Sequence, residues 1–140
     1  MFLLDTSVLS EVRRGRQRGD RQVLDWIAAR VSNDLYVSSI TILEIELGIL
    51  RVERRDRQQA NRLRHWLEDD VLEVFSDRVL AVDAAVAREA ARLHVPDPRP
   101  ERDALIAATA VAHRLTVVTR NASDFESMQV PVVNPWLPQP

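Results

Sequence analysis

Short apolar runs alternate with longer amphipathic segments along this chain, and the alternation sets the expected architecture. Phe2-Leu3-Leu4 is an apolar run that stops at Asp5-Thr6-Ser7. It predicts a buried strand, with Thr6 or Ser7 capping a helical segment from Val8. The polar stretch Arg13-Arg14-Gly15-Arg16-Gln17-Arg18-Gly19-Asp20 reads as a loop, and a helix follows from Arg21 to about Val31. Leu35-Tyr36-Val37 predicts a second strand. Ser38, Ser39 or Thr41 then caps a helix carrying Ile42, Leu43, Ile45, Leu47, Ile49 and Leu50. Between Asp56 and Asp70, Ala60, Leu63, Trp66 and Leu67 keep helical spacing against a charged face. Val71-Leu72-Glu73-Val74-Phe75 reads as a strand. Asp83 caps a helix that runs on through Leu93, and Pro96-Asp97-Pro98-Arg99-Pro100 makes a loop. Asp103 to Arg114 is an alanine-rich helix, and Leu115–Thr119 is a β-branched run expected as a buried strand. Val130–Val133 closes the pattern as a strand whose proline favours an edge. Alternating strands and helices predict an α/β fold: one domain over residues 1–140, with a central, mainly parallel sheet flanked by helices. Such sheets bind ligands outside the carboxyl ends of their strands.

Composition narrows the chemistry. The chain has 140 residues, 46% of them hydrophobic, and no cysteine. Disulfide frameworks, thiolate metal sites and cysteine nucleophiles are thereby excluded. No apolar run approaches the ~20 residues that span a bilayer. The start, Met1-Phe2-Leu3-Leu4-Asp5, lacks a basic flank and does not read as a signal peptide, so a cytoplasmic location is expected. All 19 basic residues are arginine. The absence of lysine excludes P-loop and Schiff-base chemistry.

Four acids stand out by context. Asp5 follows the first strand, and Asp124 lies in the loop after Leu115–Thr119, so both fall at strand carboxyl ends. Glu44 is embedded in Ile42-Leu43-Glu44-Ile45, and Asp103 opens an otherwise uncharged helix. A carboxylate in apolar surroundings needs compensation, and several converging carboxylates repel one another unless a cation joins them. Hard oxygen donors without a cysteine or histidine cluster suit Mg²⁺ or Mn²⁺. Each acid also has a simpler explanation: Asp5 and Asp103 as helix caps, Glu44 as a first-turn acid favoured by the helix dipole, and Asp124 as a turn cap.

The segments around these acids carry a family resemblance that spans the chain. Phe2-Leu3-Leu4-Asp5-Thr6-Ser7-Val8-Leu9-Ser10-Glu11 is similar to the first motif of PIN-domain ribonucleases of the VapC type, in the subgroup that includes FitB. Ser39–Gly48, with Glu44 four residues before the glycine, resembles the second motif. Arg102–Ala110 resembles the third, and Thr119–Phe125 followed by Val133-Asn134-Pro135-Trp136 resembles the last. The resemblance implies a metal-dependent endoribonuclease, the toxin of a toxin–antitoxin pair, inhibited by a cognate antitoxin and forming homodimers. By position it makes Asp5, Glu44 and Asp103 the acids that hold the metal. Some relatives carry the fourth acid where this chain has Asn121; others use the aspartate before the phenylalanine, here Asp124. Asp124 is the expected fourth ligand, with Asn121 as a weak carbonyl ligand or a support beside it. Thr6, Ser7 and Thr119 are candidates for orienting a ligand, water or phosphate.

Other residues are assigned lesser roles. His65, His94 and His113 fall on different predicted elements, which argues against a histidine metal site. Trp26 and Trp66 are expected in the core or an interface, and Glu11 and Glu46 beside the motif acids rather than as ligands. Arg13, Arg14, Arg16 and Arg18 could meet RNA phosphate, whereas Arg51, Arg54, Arg55, Arg57, Arg62 and Arg64 read as a solvated helix face. Two competing readings are a different magnesium-dependent phosphoesterase and a non-catalytic α/β interaction module. A receiver domain would need a lysine, and a haloacid-dehalogenase pattern would need a second aspartate at position 7, which is Ser7.

Overall fold

The first apolar run forms β1 (Phe2–Leu4), the middle strand of a five-stranded sheet in a computed structural model that describes residues 1–140. On one side of it lie β2 (Leu35–Ser38) and then β3 (Val79–Leu80) at the edge. On the other lie β4 (Thr116–Val118) and the edge strand β5 (Val132–Val133). Every pairing is parallel, with Leu3 opposite both Tyr36 and Val117. A parallel sheet is buried on both faces, and the alternation of side chains divides its residues between two cores. Leu4, Leu35, Val37 and Val118 point into one; Leu3 and Val117 point into the other.

Helices cover both faces. α1 (Thr6–Arg18), α2 (Arg21–Ala28), α3 (Ser39–Glu53) and α4 (Arg57–Trp66) supply Val8, Leu9, Val23, Trp26, Ile45, Ile49 and Ala60 to the larger core. α6 (Glu101–His113) and α7 (Ala122–Glu126) bring Ala104, Ile106, Ala107, Ala110 and Phe125 to the other. α5 (Ala84–Leu93) packs on α6 through Val86 and Ala90 against Ala108, where small side chains let the two helices approach closely. No helix is long and apolar enough to cross a membrane.

Several local expectations are corrected. Val71–Phe75 is not a strand. Leu67–Leu72 forms a wide helical turn continuing α4, and Phe75 N–H donates to Val71 O at 2.9 Å. The buried residues of this stretch, Leu67, Val71 and Phe75, recur every four positions, which is a helical repeat. The third strand is instead Val79–Leu80. α1 begins at Thr6 rather than Val8, and neither Thr6 nor Ser7 caps it; position 5 is the N-cap. The arginine-rich stretch is helical to Arg18, interrupted at Gly15, whose φ of 73° is open to glycine and costly for other residues. α6 starts at Glu101, so Asp103 is its third residue and does not open it. The segment containing Asp124 is the short helix α7 rather than a loop.

Candidate active site

The order of the strands creates a crevice before any side chain is considered. From β1 the chain moves outward to β2 and β3, then returns to place β4 on the opposite side of β1. The switch point therefore lies at the carboxyl ends of β1 and β4, where open α/β sheets bind ligands. Asp5 and Thr119 are the residues that follow these two strands. They meet directly: Thr119 Oγ1 donates to Asp5 Oδ2 at 2.7 Å, and Asp5 N–H donates to Val118 O at 2.9 Å. Ser7 Oγ donates to the same Oδ2 at 3.2 Å and accepts from Arg120 N–H at 3.4 Å. Asp5 is only 7% exposed and occupies the N-cap position of α1, yet its side chain makes no capping hydrogen bond. With both hydroxyls on Oδ2, Oδ1 is the oxygen available to a ligand.

Glu44 enters from the second turn of α3. Ser38, whose hydroxyl accepts from Ile40 N–H at 3.0 Å, caps that helix and sets its direction. Thr6 Oγ1 donates to Glu44 Oε1 at 2.8 Å and lies 3.2 Å from Thr41 Oγ1. Glu44 Oε2 is 3.8 Å from Arg102 Nη1. Asp103 sits in the first turn of α6, where the helix dipole favours an anion. Asp124 sits in the first turn of α7. Asn121, at the N-cap of α7, makes no capping bond with its side chain, and its N–H donates to Thr119 Oγ1 at 3.1 Å.

The electrostatics of Asp103 tie these pieces together. Partial burial raises its pKa above the ordinary value of 3.8, and the negative charges of Asp5, Asp124 and Glu44 raise it further; the Arg102 guanidinium opposes them. Four acids from four separate segments thus share one electrostatic neighbourhood with a single opposing cation. No three His, Asp or Glu side chains are gathered into a ligating arrangement; Thr6 holds Glu44, and Ser7 and Thr119 hold Asp5, by hydrogen bonds. The candidate donor set, four carboxylates plus the Asn121 carbonyl, is all hard oxygen. It fits a small divalent cation in chemistry and suits no soft metal.

Of the residues singled out from sequence, Asp5, Asp124 and Glu44 are near enough to Asp103 to raise its pKa, Thr6 is bonded to Glu44, Ser7 and Thr119 to Asp5, and the Asn121 N–H to Thr119. Glu46 is exposed, whereas Glu11 is 6% exposed and bonded to Trp136. Trp26 is buried and Trp66 packs against the larger core. Sequence reading missed Thr41, buried beside Thr6, and Arg102 as a partner of Glu44. Both flank motif acids, which is the signal that could have found them.

The comparisons with known proteins bear on the whole chain. The PIN domain family model matches residues 2–130. A VapC ribonuclease, Y4jK, from Sinorhizobium fredii is 37% identical over 143 residues, covering 99% of each chain. Toxin FitB from Neisseria gonorrhoeae is 36% identical over 142 residues, covering 97% of this chain and 99% of the other. The crystal structure of FitAcB from Neisseria gonorrhoeae superposes with a TM-score of 0.87 at 35% identity, over 97% of this chain and 99% of that one.

Proposed function

This chain belongs to the PIN-domain family, and on that premise we propose that it is a divalent-metal-dependent endoribonuclease, the toxin of a toxin–antitoxin pair. The observation that carries the reading is Asp5 at the sheet's switch point, its carboxylate held by the Thr119 and Ser7 hydroxyls instead of capping α1, with Asp5 itself, Asp124 and Glu44 all near enough to Asp103 to add to the rise in pKa that burial causes. Asp5, Glu44, Asp103 and Asp124 would hold the ion, Mg²⁺ or Mn²⁺. Asp124 is favoured as the fourth ligand over Asn121 because a carboxylate binds a hard cation more strongly than a neutral amide carbonyl, and it is near enough to Asp103 to raise its pKa. A bound ion supplies an activated water and offsets the charge of a phosphodiester.

The chain's own residues do the positioning. Thr119 and Ser7 hold Asp5 through Oδ2 and leave Oδ1 to a ligand, and Thr6 fixes Glu44 through Oε1. Arg102, half-exposed beside Glu44, leaves one cation at the rim of an acidic site, where it favours an approaching phosphate. RNA is the substrate by likeness to a relative named a ribonuclease, and toxin action by likeness to a relative named a toxin. A cognate antitoxin, a homodimer and a cytoplasmic location complete the reading.

The test is direct. Purified protein cleaves RNA in millimolar Mg²⁺ or Mn²⁺ and stops when EDTA is added, and Asp5→Asn folds but does not cleave. Wild-type cleavage by both Asp5→Asn and Asp103→Asn would overturn the site.

A further inference from the structure

Outside the acids the molecule buries one more carboxylate, and it lies against the carboxyl-terminal segment. Glu11, on α1, is 6% exposed. Its Oε1 accepts from the Trp136 indole N–H at 3.3 Å. Its Oε2 is buried 3.5 Å from Arg14 Nη1 and has no hydrogen-bond partner. The ring of Trp136 is also engaged. The Arg120 guanidinium lies 5.3 Å from the indole ring centroid, in cation–π range. Asn134 joins the two residues, since its Oδ1 accepts from Trp136 N–H at 3.0 Å and its Nδ2 donates to Arg120 O at 3.4 Å.

Arg120 stands between Thr119 and Asn121, at the corner that holds Asp5. Its N–H donates to Ser7 Oγ, and the next N–H, of Asn121, donates to Thr119 Oγ1. Those two hydroxyls are the ones that grip Asp5 Oδ2. Contacts therefore run without a gap from Glu11 through Trp136 and Arg120 to the Asp5 carboxylate. Apolar packing does not account for this arrangement. Trp136 packs against the larger core, but an aromatic ring without an N–H could pack there without a buried carboxylate beside it, and burying a carboxylate is unfavourable unless it is partnered.

We propose that Trp136, held between Glu11 and Arg120, is a positioning residue for the acid site: it fixes the 119–121 corner and, through Thr119 and Ser7, the orientation of Asp5. The proposal rests on the reading that Asp5 helps to hold a divalent cation. Groups that orient metal-binding side chains typically matter roughly ten- to a hundredfold in metal affinity.

Three variants separate positioning from packing. Trp136→Phe keeps a ring for the core and for Arg120 but has no N–H, Glu11→Ala removes the acceptor, and Glu11→Gln retains it. Folded Trp136→Phe and Glu11→Ala should exchange the Arg120 and Asn121 amide protons faster while amides of α6 keep wild-type rates. In calorimetric titration of the full chain with Mn²⁺ alone, their dissociation constants should rise roughly tenfold, and Glu11→Gln should return both readouts to near wild type. Unchanged exchange at Arg120 and Asn121 in both variants, or a Glu11→Gln variant as impaired as Glu11→Ala, would overturn the proposal. If the wild-type protein itself bound no Mn²⁺, the metal reading would fall, and amide exchange alone would still decide the positioning role.

Discussion

Four aspartates precede helices in this molecule, and they divide into two regions of different chemistry. At the periphery, Asp20 accepts from Gln22 N–H at 2.9 Å and Val23 N–H at 3.3 Å, Asp56 from Gln59 N–H at 3.0 Å, and Asp83 from Val86 N–H at 3.0 Å. At the centre of the sheet, Asp5 holds the same N-cap position and makes no such bond. The local sequence does not separate the two groups. What separates them is the neighbouring strand: β4 delivers the Thr119 hydroxyl to Asp5, and a competing donor takes the carboxylate away from the helix. At the starts of α2, α4 and α5 the aspartate carboxylates accept from the helix N–H groups and from no strand-end hydroxyl. Where an acid declines a capping bond worth about 1 kcal/mol, the site that receives it is the place to look for function.

This contrast can be broken experimentally, and the expected effects have a clear order. Asp103→Asn lies at its extreme. If Asp103 holds the metal as proposed, its loss forfeits several kcal/mol of charge stabilisation, and cleavage should fall about a hundredfold or more in a gel-based RNA assay while the circular dichroism spectrum is retained. Thr119→Val, a change of similar volume at a fully buried position, should lower cleavage roughly tenfold by releasing Asp5; wild-type cleavage would mean that Asp5 orients without it. Asp83→Ala should do the reverse, lowering unfolding free energy by about 1 kcal/mol in urea titration while leaving cleavage unchanged.

The smallest effect is the pH dependence of the metal-free protein. Folded Asp103 keeps its proton to higher pH than the unfolded chain does, because burial and then the nearby acids raise its pKa. Folding therefore takes up a proton in the window from the ordinary aspartate value of 3.8 upward, and the Asp103 contribution makes stability fall as pH rises through that window. Asp103→Asn should remove this contribution, and metal-free urea titrations at several pH values would detect it.

The parts legible in sequence are those fixed by neighbours a few residues away. Phe2-Leu3-Leu4 reads as a buried strand because both faces of a parallel sheet are covered, and Asp83 reads as a cap because its partner is three residues on. Glu44 and Asp103 are visible because acids in apolar helices are unusual. What escaped depends on distant partners or on ambiguous periodicity. Val71–Phe75 is apolar enough for either a strand or a helix, and only its packing against the larger core decides. Arg78 is buried, donating to the carbonyls of Ser32, Leu35 and Val74; nothing near it in sequence announces that role. Glu11 has the same character, since its partner Trp136 is 125 residues away.

The position of β4 beside β1 has a consequence for how this protein is made. A ribosome delivers Asp5 and Glu44 early, with enough chain to pair β1, β2 and β3. Asp103, Asp124 and the Thr119 hydroxyl, 114 residues beyond Asp5, arrive only near the end of translation. A nascent chain is surrounded by RNA from its first residue onward. On the proposed reading this topology keeps it unarmed until its last strands are in place: a message cut short before codon 119 yields a fragment with three of the four acids, lacking Asp124 and the Thr119 hydroxyl that holds Asp5.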